Sequence, residues 1–191
     1  LEWVSVDSAS AGEIIAVAGI DSTAIGATLC DLSTPQPLED IHITPPAVRI
    51  KIETNSSPLA GKEGKFVTPK QLEQRLEQEK ELNIGLVIEK ISGSSYSVAG
   101  RGELQLAILA EQLRREGFEF QMGKPEVVLI ERDGKKYEPI EELIIDSPTE
   151  YLSTITEEVS RRNGEMINIE SENNQTRFTY KILTRNLIGL H

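Results

Sequence analysis

A hydroxyl residue stands directly before a proline at two matched places, "TPKQ" (Thr68 to Gln71) and "SPTE" (Ser147 to Glu150). Ser or Thr as N-cap, Pro in the first helical position and Gln or Glu closing a capping box fix where a helix starts. What precedes each signal is β-like. Before the first, "AVRIKIE" alternates Val48, Ile50 and Ile52 with Arg49, Lys51 and Glu53, the period-two signature of a strand with one buried face. Before the second, "YEPIEELIIDS" reads as another strand. The chain therefore repeats one idea, a strand followed by a capped helix, and must build small α/β layers.

The first helix, "KQLEQRLEQEKEL", carries only a thin apolar stripe of Leu72, Leu76 and Leu82, so it covers one sheet face and otherwise meets water. "NIGLVIEK" and "SYSVAG" follow as strands around "SGSS". A second helix, "GELQLAILAEQLRREG", presents Leu106, Leu109 and Leu113, backed by Leu104 and Ile108, and Gly117 is placed to end it. "KPEVVLIE" closes the unit as a strand. The order β-α-β-β-α-β is the ferredoxin-like, split βαβ arrangement, over residues 45–132. After the turn "RDGKK" the pattern restarts over residues 135–191. Ser147 caps a helix whose buried face is Leu152, Ile155 and Val159 and whose end is Asn163-Gly164. "EMINIE" and "TRFTYKIL" are its strands, and a second helix would be expected next, so this unit reads as truncated. Residues 1–42 hold "WVSV", "EIIAVAGI" and "AIGATLC", too few β runs to close a barrel, and read as the C-terminal part of a larger β-barrel domain. The fold class expected is α+β: a partial barrel, a ferredoxin-like domain and a truncated unit of the same type. Asp133-Gly134 and the Pro45-Pro46 connection are the expected hinges between them.

Bulk properties exclude several function classes. No apolar run approaches the roughly 20 residues of a membrane span. The single cysteine, Cys30, precludes an internal disulfide, fits a reducing compartment and reads as a small buried hydrophobe. The two histidines, His42 and His191, are too far apart in sequence to suggest zinc. A net charge of -11 opposes indiscriminate nucleic-acid binding but leaves room for local basic patches. One such patch is "NSSPLAGKEGKFVTPK", with two Gly-Lys pairs. A phosphate loop needs G-x-x-x-x-G-K-[ST]. In the register ending at Lys65 the outer slots are Leu59 and Phe66, and in that ending at Lys62 they are Ser56 and Glu63. Both fail. Glu77, Glu79 and Glu81 read as a solvated helix face, and no residue is assigned a catalytic role. The chain opens at Leu1 inside strand-like text, which suggests an excised fragment. Its open strand edges would then invite pairing with another chain, giving a dimer in a crystal.

Several stretches carry a resemblance. "ASAGEIIAVAGI" with "IGATLCD" is similar to the end of the second domain of translational GTPases such as elongation factor G. "SVAGRGELQLAILAEQLRREGFEFQMGKPEVV" resembles their third domain, with Gln105 where S-G-x-G-E-L-H-L has histidine. "YEPIEELIIDSPTEYLSTITEEVSRRNGEM" resembles their fifth domain and follows the third directly. That order, together with "NSSPLAGKEGKFVT", matches the TypA/BipA family, whose hallmark is N-[NS]-S-P-[FL]-A-G-K-E-G-K-F-V-T. Departures are Gln105, Ser153 at a common helix glycine, and "LTRNLIGL" for P-S-R-G-L-I-G-F, which leaves Arg185 and Asn186 without an assigned role.

The resemblance implies a cytoplasmic, ribosome-associated GTPase acting in stress adaptation and ribosome assembly. GTP and Mg would be bound by a G domain outside this sequence, so no cofactor is expected within it. This part would dock on the ribosome, through ribosomal RNA, proteins or a bound tRNA, and relay nucleotide state without hydrolysing GTP. Candidate contacts are Lys62 and Lys65 in the glycine loop, Arg101 in "AGRGEL", and Arg161 and Arg162 at the end of the third helix. Each has a plainer alternative: solvated loop lysines, a tight helix start in which Glu103 complements the dipole, and arginines placed against a helix C-terminus. Arg114 and Arg115 read as structural. A different class also fits the pattern: a self-standing ferredoxin-like module for ligand sensing or oligomerisation.

Overall fold

The computed structural model describes residues 4–20, 23, 25–39 and 41–190. It is a mixed α/β fold with small sheets. The chain divides into two units, residues 1–41 and residues 42–191.

The larger unit begins with β1 (Val48–Thr54), α1 (Pro69–Leu82), β2 (Val87–Ser92), β3 (Ser95–Gly100), α2 (Glu103–Glu116), β4 (Phe120–Met122) and β5 (Glu126–Val127). The antiparallel sheet runs β2-β3-β1-β4, with β5 pairing the far end of β1 on the same side as β4. Val48, Ile50 and Ile52 alternate inward as the sequence demands and meet Leu72 and Leu76 of α1 and Leu106, Leu109 and Leu113 of α2. α1 starts where the capping box places it: Thr68 Oγ1 accepts from Gln71 N, and Gln71 Oε1 accepts from Thr68 N at 3.1 Å. α2 ends at Gly117, in the left-handed region at φ 94°. Leu82, Leu104 and Ile108, expected in the stripes, are exposed. The reason is angular: with about 3.6 residues per turn, 104 and 108 fall away from the face carrying 106, 109 and 113.

The rest comprises a ribbon of β6 (Ile130–Arg132) and β7 (Lys135–Tyr137), then β8 (Ile140–Pro148), α3 (Leu152–Arg161), β9 (Glu165–Glu172), β10 (Gln175–Leu183) and α4 (Thr184–Leu187). The sheet order β8-β10-β9 repeats that of β1, β3 and β2. Its core is Val159, Phe178, Tyr180 and Ile182, with Leu143, Ile145, Leu152 and Ile155 against them. Gly164 closes α3 by packing where no side chain fits, since a Cβ there would lie 2.4 Å from Val159 Cγ1.

Several expectations are corrected. "KPEVVLIE" is not one strand: the sheet's fourth position is taken by β4 and β5, and β6 leaves to form the ribbon. Ser147 caps no helix, because its residue is paired within β8 (Thr176↔Ser147); a 3-10 turn at Thr149–Tyr151 precedes α3 instead. The Asp133-Gly134 hinge is the tip of the ribbon, where φ of 51° and 70° make a tight two-residue hairpin. Lastly, the β runs expected over residues 1–42 form no strand among the described residues, where 4–41 buries no side chain. A lone strand leaves its backbone donors and acceptors unpaired, and these runs have no ladder neighbour. The edge pairing expected of Leu1 to Cys30 therefore has no strand to act through among the described residues, and Cys30 is exposed, not buried. Leu1, Trp3, Ala24 and His191, which fall within the stretches and residues read from the sequence, lie outside the described residues. No helix among the described residues is long and apolar enough to cross a membrane.

Candidate nucleic-acid interface

The loop between β1 and α1 is built around one carboxylate. Glu119, just past the end of α2, accepts from Gly61 N at 2.9 Å through Oε1, and from Gly64 N at 3.0 Å and Glu63 N at 3.3 Å through Oε2. Asn55 Nδ2 donates to the same Oε1 at 2.7 Å. The Gly64 amide first, then Gly61, with help from Asn55 and Glu63, holds the Glu119 carboxyl down at about 2. The loop's exit is fixed as well. Lys65 N and Phe66 N donate to Gly117 O at 2.8 and 3.1 Å, Glu119 N donates to Phe66 O at 3.0 Å, and the Phe66 and Phe118 rings lie 4.8 Å apart.

Its entrance is tied by Glu53 on β1, which accepts from Ser95 Oγ and Gln121 Nε2, each at 2.6 Å, and pairs with Lys51. Lys51 chiefly, then Ser95 and Gln121, bring the Glu53 carboxyl to about 2. Gln121 also reaches Ser56 Oγ at 3.3 Å.

Successive backbone amides converging on an anion form a nest of the kind that holds phosphates in nucleotide loops. Here the protein's own carboxylate fills it. That explains physically why the Gly-Lys pairs do not make a nucleotide cradle. Lys62 and Lys65 remain exposed around the filled nest. Among the described residues the lysines engaged in ion pairs are Lys51 and Lys90, so the ammonium groups of Lys62 and Lys65 are free.

The other candidates lie elsewhere. Arg101 is exposed before α2; its backbone N donates to Gln105 Oε1 at 3.0 Å, and its side chain borders a cavity of about 110 Å³ with Glu141, Thr184 and Leu187. The 14 residues of α2 set it roughly 20 Å from the lysine loop at the helix's other end. Arg161 is exposed and pairs with Glu158. Arg162 is spent inside the fold: its guanidinium donates to the carbonyls of Asn186 (3.0 Å), Ile188 (3.1 Å) and Gly189 (2.9 Å) and pairs with Glu158 at 2.7 Å. It holds the turn after α4, so its donors are already taken up within the fold. Among the described residues, no group of three or more His, Cys, Asp or Glu side chains is placed to hold a metal ion.

A family model described as elongation factor G C-terminus matches residues 135–191. The large ribosomal subunit assembly factor BipA of Bacillus subtilis is 39% identical over 191 residues, covering 99% of this chain and 31% of its own. The protein of the same name in Synechocystis is 40% identical, with 99% and 32% covered. The chain is a BipA/TypA homologue. The putative elongation factor TypA-like SVR3, chloroplastic, of Arabidopsis thaliana is 37% identical over 190 residues, 98% of this chain and 28% of that protein. The chain thus spans about a third of the length of the BipA/TypA relatives it matches. In this BipA/TypA homologue the hallmark run "NSSPLAGKEGKFVT" is the segment wrapped around Glu119.

Three working residues escaped the sequence reading. Glu119 has no spacing motif linking it to a loop more than 50 positions away. Arg75, which no motif singles out, pairs with Glu79 on its own helix (2.9 Å) and bridges α1 to α2 through Glu116 (2.7 Å). Glu103, taken as a complement to the helix dipole, accepts from Gly189 N at 2.8 Å and so joins the first sheet's layer to the second's.

Proposed function

We propose that this chain is the docking and relay part of a cytoplasmic, ribosome-associated translational GTPase of the BipA/TypA type. In this reading residues 45–132 are a ferredoxin-like domain, which the sheet order β2-β3-β1-β4 supports. Residues 135–191 are an α/β unit of the same kind, and residues 1–42 belong to a β-barrel domain. GTP and Mg are bound elsewhere in the longer protein, which acts in stress adaptation and ribosome assembly. The chain contacts the phosphate backbone of ribosomal RNA through Lys62 and Lys65, with Arg101 and Arg161 as separate contacts.

The observation that carries the RNA reading is the contrast between a chain of net charge -11 and two unpaired lysines fixed on one built loop. Lysine is a compact point charge suited to sequence-independent phosphate contact. Binding of the chain to purified large ribosomal subunits, measured over a salt series, tests the proposal. Lys62→Ala with Lys65→Ala should lower affinity at every salt concentration. It should also flatten the log–log salt slope by roughly 1.4 to 1.8, two phosphate contacts' worth. An unchanged affinity and slope would remove the lysines from the interface.

A further inference from the structure

We infer that Glu119 is the positioning residue of the lysine loop, its carboxylate taking the place of a phosphate in the amide nest so that Lys62 and Lys65 face outward as a fixed pair. The inference rests on the RNA-contact reading of those lysines. Lys62 stands between Gly61 and Glu63, whose amides both bond Glu119, so its backbone is held on either side. Lys65 follows Gly64, which is bonded to the same carboxylate, and its stem passes beside Gly117, where an added Cβ would lie 3.7 Å from Lys65 Cβ and Cγ. The approach at Gly64 is so close that a Cβ there would sit 2.5 Å from Glu119 Cβ. The negative charge of Glu119 is absorbed by three backbone amides and Asn55, leaving the lysines un-neutralised.

Two consequences follow. A loop ordered before binding has less conformational freedom to lose when it meets its partner. And with its amides already used, the loop offers point charges alone, which suits a polyanionic backbone and not a single nucleotide or free phosphate.

Glu119→Gln keeps the side chain's shape but replaces one acceptor oxygen with a donor group facing amide donors. Hydrogen exchange at residues 61–64 should accelerate while exchange within α2 stays as in the unaltered chain, showing that the fold is intact. Affinity for large-subunit ribosomal RNA should fall roughly fivefold to tenfold, the order expected when two long side chains must be ordered on binding. In the Lys62→Ala, Lys65→Ala background the same change should leave affinity where the double variant put it, and inorganic phosphate or GTP at millimolar concentration should not compete with the RNA. An E119Q chain that binds as tightly as the original, or loses the same factor in both backgrounds, overturns the positioning role while the lysine contacts stand. If K62A/K65A itself binds normally, the RNA reading fails and this inference fails with it.

Discussion

Gly64 shows how a single position decides whether the lysine loop can exist. An added methyl would meet Glu119 Cβ at 2.5 Å, Glu119 N at 3.0 Å and Gly117 O at 3.1 Å, and two of those three atoms are backbone. Gly61 differs: its φ of 81° asks for glycine, yet a Cβ there would meet nothing within 4 Å. Gly64→Ala should therefore destabilise the chain by about 1–3 kcal/mol through overpacking. The midpoint of urea unfolding checks this, and a midpoint equal to the original's would contradict the close packing. At this scale much was hidden in the sequence. The glycines and lysines could be read as a loop, and the phosphate-loop template could be rejected from spacing alone. What the loop folds around could not, because Glu119 is distant in the chain and its role comes from three-dimensional convergence of amides. The internal role of Arg162 was hidden for a related reason: at a helix C-terminus a basic residue is expected on dipole grounds, and nothing local shows that carbonyls of Asn186, Ile188 and Gly189 will claim it.

Among the elements, the strongest local signals survived folding intact. The alternation in β1 and the Thr68-Pro69-Gln71 cap were legible because each is satisfied within a few residues. The Ser147 cap was as good a signal, yet the ladder between β8 and β10 continues through Ser147 and Pro148, so sheet pairing took residues that local chemistry would give to a helix. Helix faces were legible in part. Leu113 is fully buried and Leu104 is 75% exposed, although both looked like members of one stripe. Leu113→Ala should cost about 2–5 kcal/mol, whereas Leu104→Ala should stay within about half a kcal/mol. Equal costs by chemical denaturation would mean that α2 is rotated relative to the sheet. Among the described residues the β runs before residue 42 form no strand, because strand formation is a property of pairs, and a propensity without a neighbour has no hydrogen bonds to make.

Over the whole of residues 42–191 the design is two α/β layers of one kind, each with its own core, joined where Glu103 receives the Gly189 amide. The candidate contacts are spread over this body and do not converge in a cleft. Lys62 and Lys65 sit at the C-terminal end of α2, Arg101 at its start and Arg161 at the end of α3. Such spacing suits attachment to an extended, charged surface better than enclosure of a small molecule. The family was legible in the order of motifs; which of its charged residues are free to touch a partner was not, since that depends on the ion pairs made after folding. Lysine reactivity, mapped by brief acetylation and mass spectrometry with and without large ribosomal subunits, tests the docking claim most directly. Lys62 and Lys65 should lose reactivity in the complex while the exposed Lys80, in the last turn of α1, keeps its own. Lys62 and Lys65 modified as readily in the complex as in the free chain would contradict it.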